Sequence, residues 1–240
     1  MSDTYAAYLK RHPPKLYNRV SWNQFFPYFR RTWLQGEHIT IVGPTGCGKS
    51  TLESQILTIR EYIVIFVTKV YDEVLTYQFP EYHRISKWPP KYHQDKVLLW
   101  PKPGKDIRET YLIQRNVFKD ALNKIFQERN WTVVFDEQHY MVKKLALGPE
   151  NEMFLHQGRS SGLSVVNGTQ RPAWVPVVTY SSATHAFIWN TNYHDDLRRL
   201  SDLGGISSKD LSYNIQTLSK HEFIYVNCRT GDVMRSQVGR

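Results

Sequence analysis

The chain has 240 residues, 41% of them hydrophobic, and 31 Lys and Arg against 22 Asp and Glu give it a net charge of +9. This length and composition suit one α/β domain with a real core and exclude a disordered chain; no apolar run approaches the roughly 18–20 residues of a membrane span, and the N-terminus lacks the apolar core of a signal peptide. Two cysteines, Cys47 and Cys228, are too few for a disulfide framework and point to a reducing cytoplasm, while the basic balance favours a polyanionic partner, with nucleic acid first.

Residues 1–35 form a basic and aromatic lead-in, running from Lys10, Arg11, Lys15 and Arg19 to Trp22, Phe25, Phe29 and Trp33. It is either an arm for a neighbouring subunit or a helix covering the sheet edge. Residues 38–42 are β-branched and apolar and predict a buried strand, and 49–62 predict a helix with Leu52, Ile56 and Leu57 on one stripe. Between them Gly43, Pro44, Thr45, Gly46, Cys47, Gly48, Lys49, Ser50 and Thr51 spell a complete phosphate-binding loop, G-x-x-x-x-G-K-[ST], in the strand–loop–helix context that its mechanism needs. Glycines there let backbone N–H groups turn toward an anion, and the helix N-terminus adds partial positive charge. Lys49 can reach the β- and γ-phosphates of ATP, and the Ser50 hydroxyl can ligate Mg²⁺.

Further strands are expected at 62–69, 96–100, 131–135, 163–168 and 185–189, with helices at 105–130, 149–161 and 195–203. The proline-rich, aromatic stretch 70–104 reads as a long irregular insertion around the 96–100 strand. Residues 221–228 and 233–238 flank Arg229-Thr230-Gly231-Asp232 as a terminal β-hairpin. Strands alternating with helices imply a mostly parallel central sheet flanked by helices, and ligands then bind at the carboxyl ends of the strands. The organisation is a core at 36–203 with a helix and β-hairpin extension of the same domain at 204–240.

Three polar groups fall at such strand ends. One is the phosphate loop. The second is Asp136-Glu137, closing an apolar strand as a Walker-B pair: Asp136 holds Mg²⁺ through water and Glu137 polarises the attacking water, an arrangement suited to hydrolysis. The third is Gln170; if its strand lies between the other two, its amide points at the γ-phosphate, and otherwise it caps a loop. Lys69 and Arg171 are further cations near this edge, although Lys69 is equally an ordinary strand-end lysine. Arg159 precedes the Gln170 strand, far from its own nucleotide, and is either an arginine finger for a neighbour's site or a surface ion-pair residue. Lys143 and Lys144 follow the acidic pair and are either contacts for DNA phosphates or a solvated pair.

The segments GPTGCGKST (43–51), VVFDE (133–137) and above all GRSSGLSVVNGTQRP (158–172) resemble the FtsK/HerA branch of additional-strand, RecA-like P-loop ATPases, with Gly168 where that pattern often has alanine. The resemblance spans roughly residues 36–190. It implies ATP hydrolysis with Mg²⁺, nucleotide bound between subunits of a homo-oligomeric ring (pentamer or hexamer), and double-stranded DNA in the pore. It also implies Gln170 as sensor and Arg159 as trans finger. The short chain, with neither membrane anchor nor room for a nuclease after 203, points to the viral genome-packaging members, docked on a portal or capsid vertex in the host cytoplasm. The rival readings are an assembly or secretion ATPase acting on protein partners, and a small-molecule kinase.

Overall fold

In the computed structural model residues 13–90, 94–191, 193–200, 203 and 206–239 are described, residue 194 by its backbone alone. Residues 1–12 of the lead-in, with Lys10 and Arg11, lie outside this set. The elements run α1 (Trp22–Thr32), β1 (His38–Val42), α2 (Lys49–Ile56), β2 (Ile63–Phe66), α3 (Glu73–Gln78), β3 (His83–Ile85), β4 (Lys96–Leu99) and α4 (Ile107–Glu128). They continue with β5 (Thr132–Phe135), α5 (Gly148–Gln157), β6 (Ser164–Thr169), α6 (Val178–Ser181), β7 (Ala183–Ile188), α7 (His194–Leu200), α8 (Ser208–Gln216), β8 (Glu222–Asn227) and β9 (Val233–Gln237). Among the described residues the strands make one sheet in the order β3-β4-β2-β5-β6-β1-β7-β8-β9. Pairing is parallel from β3 to β7, and the terminal hairpin β8–β9 is antiparallel. The expected mostly parallel α/β sheet with a C-terminal hairpin is therefore present.

Alternation along each strand sends side chains to opposite faces. Ile39, Ile41, Val134, Val166, Phe187 and Tyr225 share one face with Phe25, Phe29 and Trp33 of α1 and Leu52 and Ile56 of α2. The α1 aromatics contact the β7 and β8 aromatics edge-on, Phe25 against Phe187 and Tyr225 at ring-centroid distances of 6.0 and 5.0 Å. That geometry adds specificity to the burial. The opposite face buries Val64, Phe66, Val133, Phe135 and Val165 under α4 and α5, and Val42, Ile188, Ile224 and Val226 under α7 and α8. No described helix is long and apolar enough to cross a membrane.

Several boundaries differ from expectation for local reasons. The helix expected over 49–62 stops at Ile56, tightens into a 3₁₀ turn at Leu57–Ile59 and turns extended at Arg60, where Thr58 and Ile59 are poor helix formers. The strand expected over 62–69 ends at Phe66: side chains take the next carbonyls, Gln114 Nε2 donating to Thr68 O at 2.7 Å and Trp100 Nε1 to Lys69 O at 2.8 Å. The 70–104 stretch is more ordered than its prolines suggest. Asp72 caps α3 by accepting from Leu75 N at 3.0 Å, and β3 adds an edge strand beside β4. The helix expected over 149–161 divides into α5 and a 3₁₀ turn at Gly158–Ser161. The short α6 was not anticipated.

Candidate active site

Strand order brings the site together. β6 lies directly between β1 and β5, so the ends of three adjacent parallel strands present the phosphate loop, Gln170 and the Asp136-Glu137 pair side by side. Register fixes their depth: Val42 is opposite Thr169, and Phe135 is opposite Asn167. These groups line one cavity of about 900 Å³, enough for a nucleotide-sized ligand.

The loop leaves β1 at Gly43, whose N–H donates to Thr169 O at 3.1 Å. Gly46 and Gly48 have φ of +77° and +114°, conformations that favour glycine, so the turn needs both. A side chain at Gly43 would come within 2.6 Å of Cys47 Sγ and 2.9 Å of Trp189 Cβ. Lys49 opens α2, and its Nζ donates to Gly43 O at 2.7 Å and Pro44 O at 3.1 Å, holding the ammonium against the loop.

Gln170 ties the loop to the acid. Its Oε1 accepts from Thr45 Oγ1 at 2.9 Å, and its Nε2 donates to Glu137 Oε2 at 3.1 Å. Burial, followed by Lys49 and Gln170 pulling the other way and Asp136 adding to it, leaves the Glu137 carboxyl above the ordinary carboxylate range. Gly168 permits the close strand approach: a Cβ there would lie 2.5 Å from Asp136 O. An alanine at this position would push the acidic pair outward.

Lys69 lies at the cavity, 2.7 Å from Asp72 Oδ2 and 3.7 Å from Asp136 Oδ2. Burial lowers its pKa, but the two carboxylates outweigh that and raise it. Arg171, expected near this edge, is engaged elsewhere: its Nε meets Asp196 Oδ2 at 3.0 Å and its guanidinium stacks over Tyr193 and Trp174.

Three supporting residues escaped the sequence reading. Glu53, one helical turn beyond Lys49 and only 2% exposed, is pushed well above the carboxylate range by burial and then by the charge of Asp136; a lone acid between Leu52 and Ile56 on the apolar stripe was the available signal. Gln138, fully buried beside Glu137, donates to Asn151 Oδ1 at 2.9 Å and Thr179 Oγ1 at 2.8 Å, pinning the end of β5 to α5 and α6. Tyr140 OH donates to Gln114 Oε1 at 2.7 Å, and Gln114 in turn holds Thr68.

Lys143 and Lys144 are exposed on a π-helical turn, Tyr140–Lys144, that leaves the catalytic edge. Arg159 is not brought to this cavity. It is exposed in the 3₁₀ turn at the amino end of β6, the opposite edge of the sheet. There Gly36, with φ of +85°, passes so close that a Cβ would lie 2.8 Å from Arg159 O, and Gly36 N donates to Ser164 Oγ at 3.0 Å.

Ser50 and Asp136 both line the cavity. They are hard oxygen donors, the chemistry Mg²⁺ takes when phosphate and water complete its shell. Among the described residues no group of three or more His, Cys, Asp or Glu side chains could hold a metal, so the donor set here suits a metal that arrives with phosphate better than an all-protein cage.

The chain matches no family model and no curated protein sequence. Its fold has counterparts among solved structures. The genome packaging NTPase B204 from Sulfolobus turreted icosahedral virus 2, in complex with AMPPCP, superposes with a TM-score of 0.62 at 16% identity, covering 85% of this chain and 98% of that one. This chain has the B204 fold. VirB4 of Thermoanaerobacter pseudethanolicus gives a TM-score of 0.58 at 10% identity, covering 85% of this chain and 89% of VirB4. The pCW3 conjugation coupling protein TcpA gives 0.52 at 14%, covering 85% of this chain and 60% of TcpA. This chain is a RecA-like P-loop fold in which β6 lies between the strand that leads into the phosphate loop and the strand that ends at Asp136-Glu137.

Proposed function

We propose that this protein is an ATP-hydrolysing motor that moves double-stranded DNA, working as a homo-oligomeric ring in viral genome packaging. The observation that carries the reading is the convergence of Lys49, Ser50, Asp136, Glu137 and Gln170 on one cavity through the β5-β6-β1 strand order. The likeness to B204, solved with AMPPCP, with ATP-gammaS and with AMP, supports ATP as the nucleotide and packaging as the task.

In this reading the loop amides and Lys49 bind the phosphates. Ser50 and Asp136 would hold Mg²⁺, which when bound would supply positive charge to offset that of the phosphates. Glu137 orients a water and takes its proton as the water oxygen attacks the γ-phosphorus; the bond to the bridging oxygen breaks, and ADP keeps the electron pair. Because Gln170 joins Thr45 to Glu137, a change at the loop is passed directly to the base. Arg159, at the far edge of the sheet, acts on the neighbouring subunit's nucleotide. Lys143 and Lys144, on a turn that begins three residues after Glu137, contact DNA phosphates, and the net charge of +9 favours the same partner.

The test is ATP turnover with and without double-stranded DNA across a salt series. DNA should stimulate hydrolysis, with the stimulation fading as salt rises because phosphate contacts release counterions. Turnover indifferent to DNA at every salt concentration, with intact ATP binding, removes the motor function and leaves an ATPase of another kind.

A further inference from the structure

The phosphate loop accounts for only part of the cavity. Sheet order tells where the remainder of a nucleotide must go. The acidic pair and Gln170 stand on the β6 and β5 side of β1, which marks the γ end of the phosphate chain. With the γ-phosphate at that end, the rest of a nucleotide would lie on the other side of the loop, toward β7 and β8. On that side the wall is made by His221 and by Gln237, Val238 and Gly239.

These residues are held in place. His221 enters β8 with φ of +64°, an uncommon conformation for a residue with a side chain that is worth relating to function. Its Nδ1 is 3.1 Å from Cys47 O of the phosphate loop, and the same nitrogen lies 3.8 Å from where a Cβ on Gly48 would be. The imidazole therefore sits beside the loop itself. The following segment is anchored too: Ser236 Oγ donates to Val20 O at 3.1 Å, Val238 packs against the core, and Gly239 lies against Trp22, where a Cβ would come 3.4 Å from Cδ1.

Resting on the ATP-site reading above, we propose that His221 and the Gln237–Gly239 segment form the seat for the adenine base of the bound nucleotide. The imidazole offers a flat face for stacking, Val238 an apolar surface, and the exposed Gln237 amide a donor and acceptor pair that matches the donor and acceptor edge of adenine. The terminal hairpin thereby becomes part of the nucleotide site, contributed by the same subunit that supplies the phosphate loop.

Calorimetry of the full chain with Mg²⁺, titrating ATP and separately inorganic triphosphate, tests this. His221→Ala and Gln237→Ala should each weaken ATP about tenfold, a size set by loss of one base contact, with triphosphate affinity unchanged. His221→Phe keeps a ring while losing the bond to Cys47 O and should retain ATP affinity. Equal losses for both ligands, or unchanged ATP affinity in both alanine variants, overturn the seat. Lys49→Ala separates the two layers: it should weaken both ligands. If the parent binds triphosphate in a Lys49-dependent way but ATP no more tightly, the base seat alone falls; if it binds neither, the phosphate site falls and the seat with it.

Discussion

Gln170 donates from Nε2 to Glu137 Oε2 at 3.1 Å while its Oε1 accepts from Thr45 Oγ1 at 2.9 Å. One amide thus spans the phosphate loop and the Asp136-Glu137 pair. Glu137→Gln is expected to keep ATP binding and to lower turnover by about 100-fold or more, the scale of losing a general base. Gln170→Ala should lower kcat with little change in ATP affinity. It should also move the pH profile. Glu137 must be ionised to accept a proton, so the rate rises with pH through its raised pKa; Gln170 holds that pKa down, and removing it should shift the acidic limb to higher pH. A limb that stays in place in a folded variant separates Gln170 from Glu137.

Gly168 gives a steric prediction. A Cβ at this position would meet Asp136 O at 2.5 Å and Phe135 O at 3.2 Å, and these are backbone atoms that cannot rotate aside. Gly168→Ala should therefore destabilise the fold by ~1–3 kcal/mol, as overpacked cores are, and should lower turnover by displacing Asp136-Glu137. Urea unfolding with parallel ATPase assays checks both. Unchanged stability and activity would mean that β5 and β6 separate without cost.

The placement of residues 43–51, of Asp136-Glu137 and of Gln170 at neighbouring strand ends was legible in the sequence because each closes an apolar run, and the strand–helix alternation pointed to the parallel sheet. What lay beyond reach depended on tertiary neighbours. Nothing in the local pattern says that Arg171 is captured by Asp196, which is distant in sequence and fully buried. The 70–104 stretch hid α3 and β3 because its prolines and aromatics obscured a one-residue cap, Asp72, and an edge strand of three residues. His221 read as an ordinary strand start; its positive φ and its approach to Cys47 O exist only once the hairpin is folded against the loop.

Arg159 and Glu137 lie at opposite edges of the same sheet, so a ring in which each nucleotide meets a neighbour's Arg159 would mix their contributions between subunits. Arg159→Ala and Glu137→Gln should each be inactive alone. Mixed with one another, they should recover part of the turnover, because some interfaces then pair an intact Glu137 with an intact Arg159. Turnover measured over a series of mixing ratios decides it; absence of recovery at every ratio makes Arg159 a surface residue that fixes the 158–161 turn.

Two buried imidazoles predict how stability depends on pH. Burial depresses His38 from 6.5 to about 4, opposed by the Leu155 carbonyl, and its Nδ1 accepts from Val165 N at 3.1 Å, a bond that a proton on Nδ1 would destroy. Burial also lowers His185, against the pull of Glu37. Between pH 4 and 6.5 the unfolded chain therefore binds more protons at these sites than the folded one, so their contribution is intact above about pH 6.5 and is lost on acidification. For His38 the loss approaches ~3 kcal/mol, taking about 1.4 kcal/mol per unit. Glu53 and Glu137, raised in the fold, act in the opposite sense, which makes a variant comparison the decisive one. His38→Asn keeps an acceptor near the Nδ1 position and cannot titrate; its urea midpoint should fall less than the parent's between about pH 7.5 and pH 4.5. Parallel curves for the two proteins would mean that His38 takes up its proton over the same pH range folded and unfolded, so that the fold does not hold the imidazole neutral.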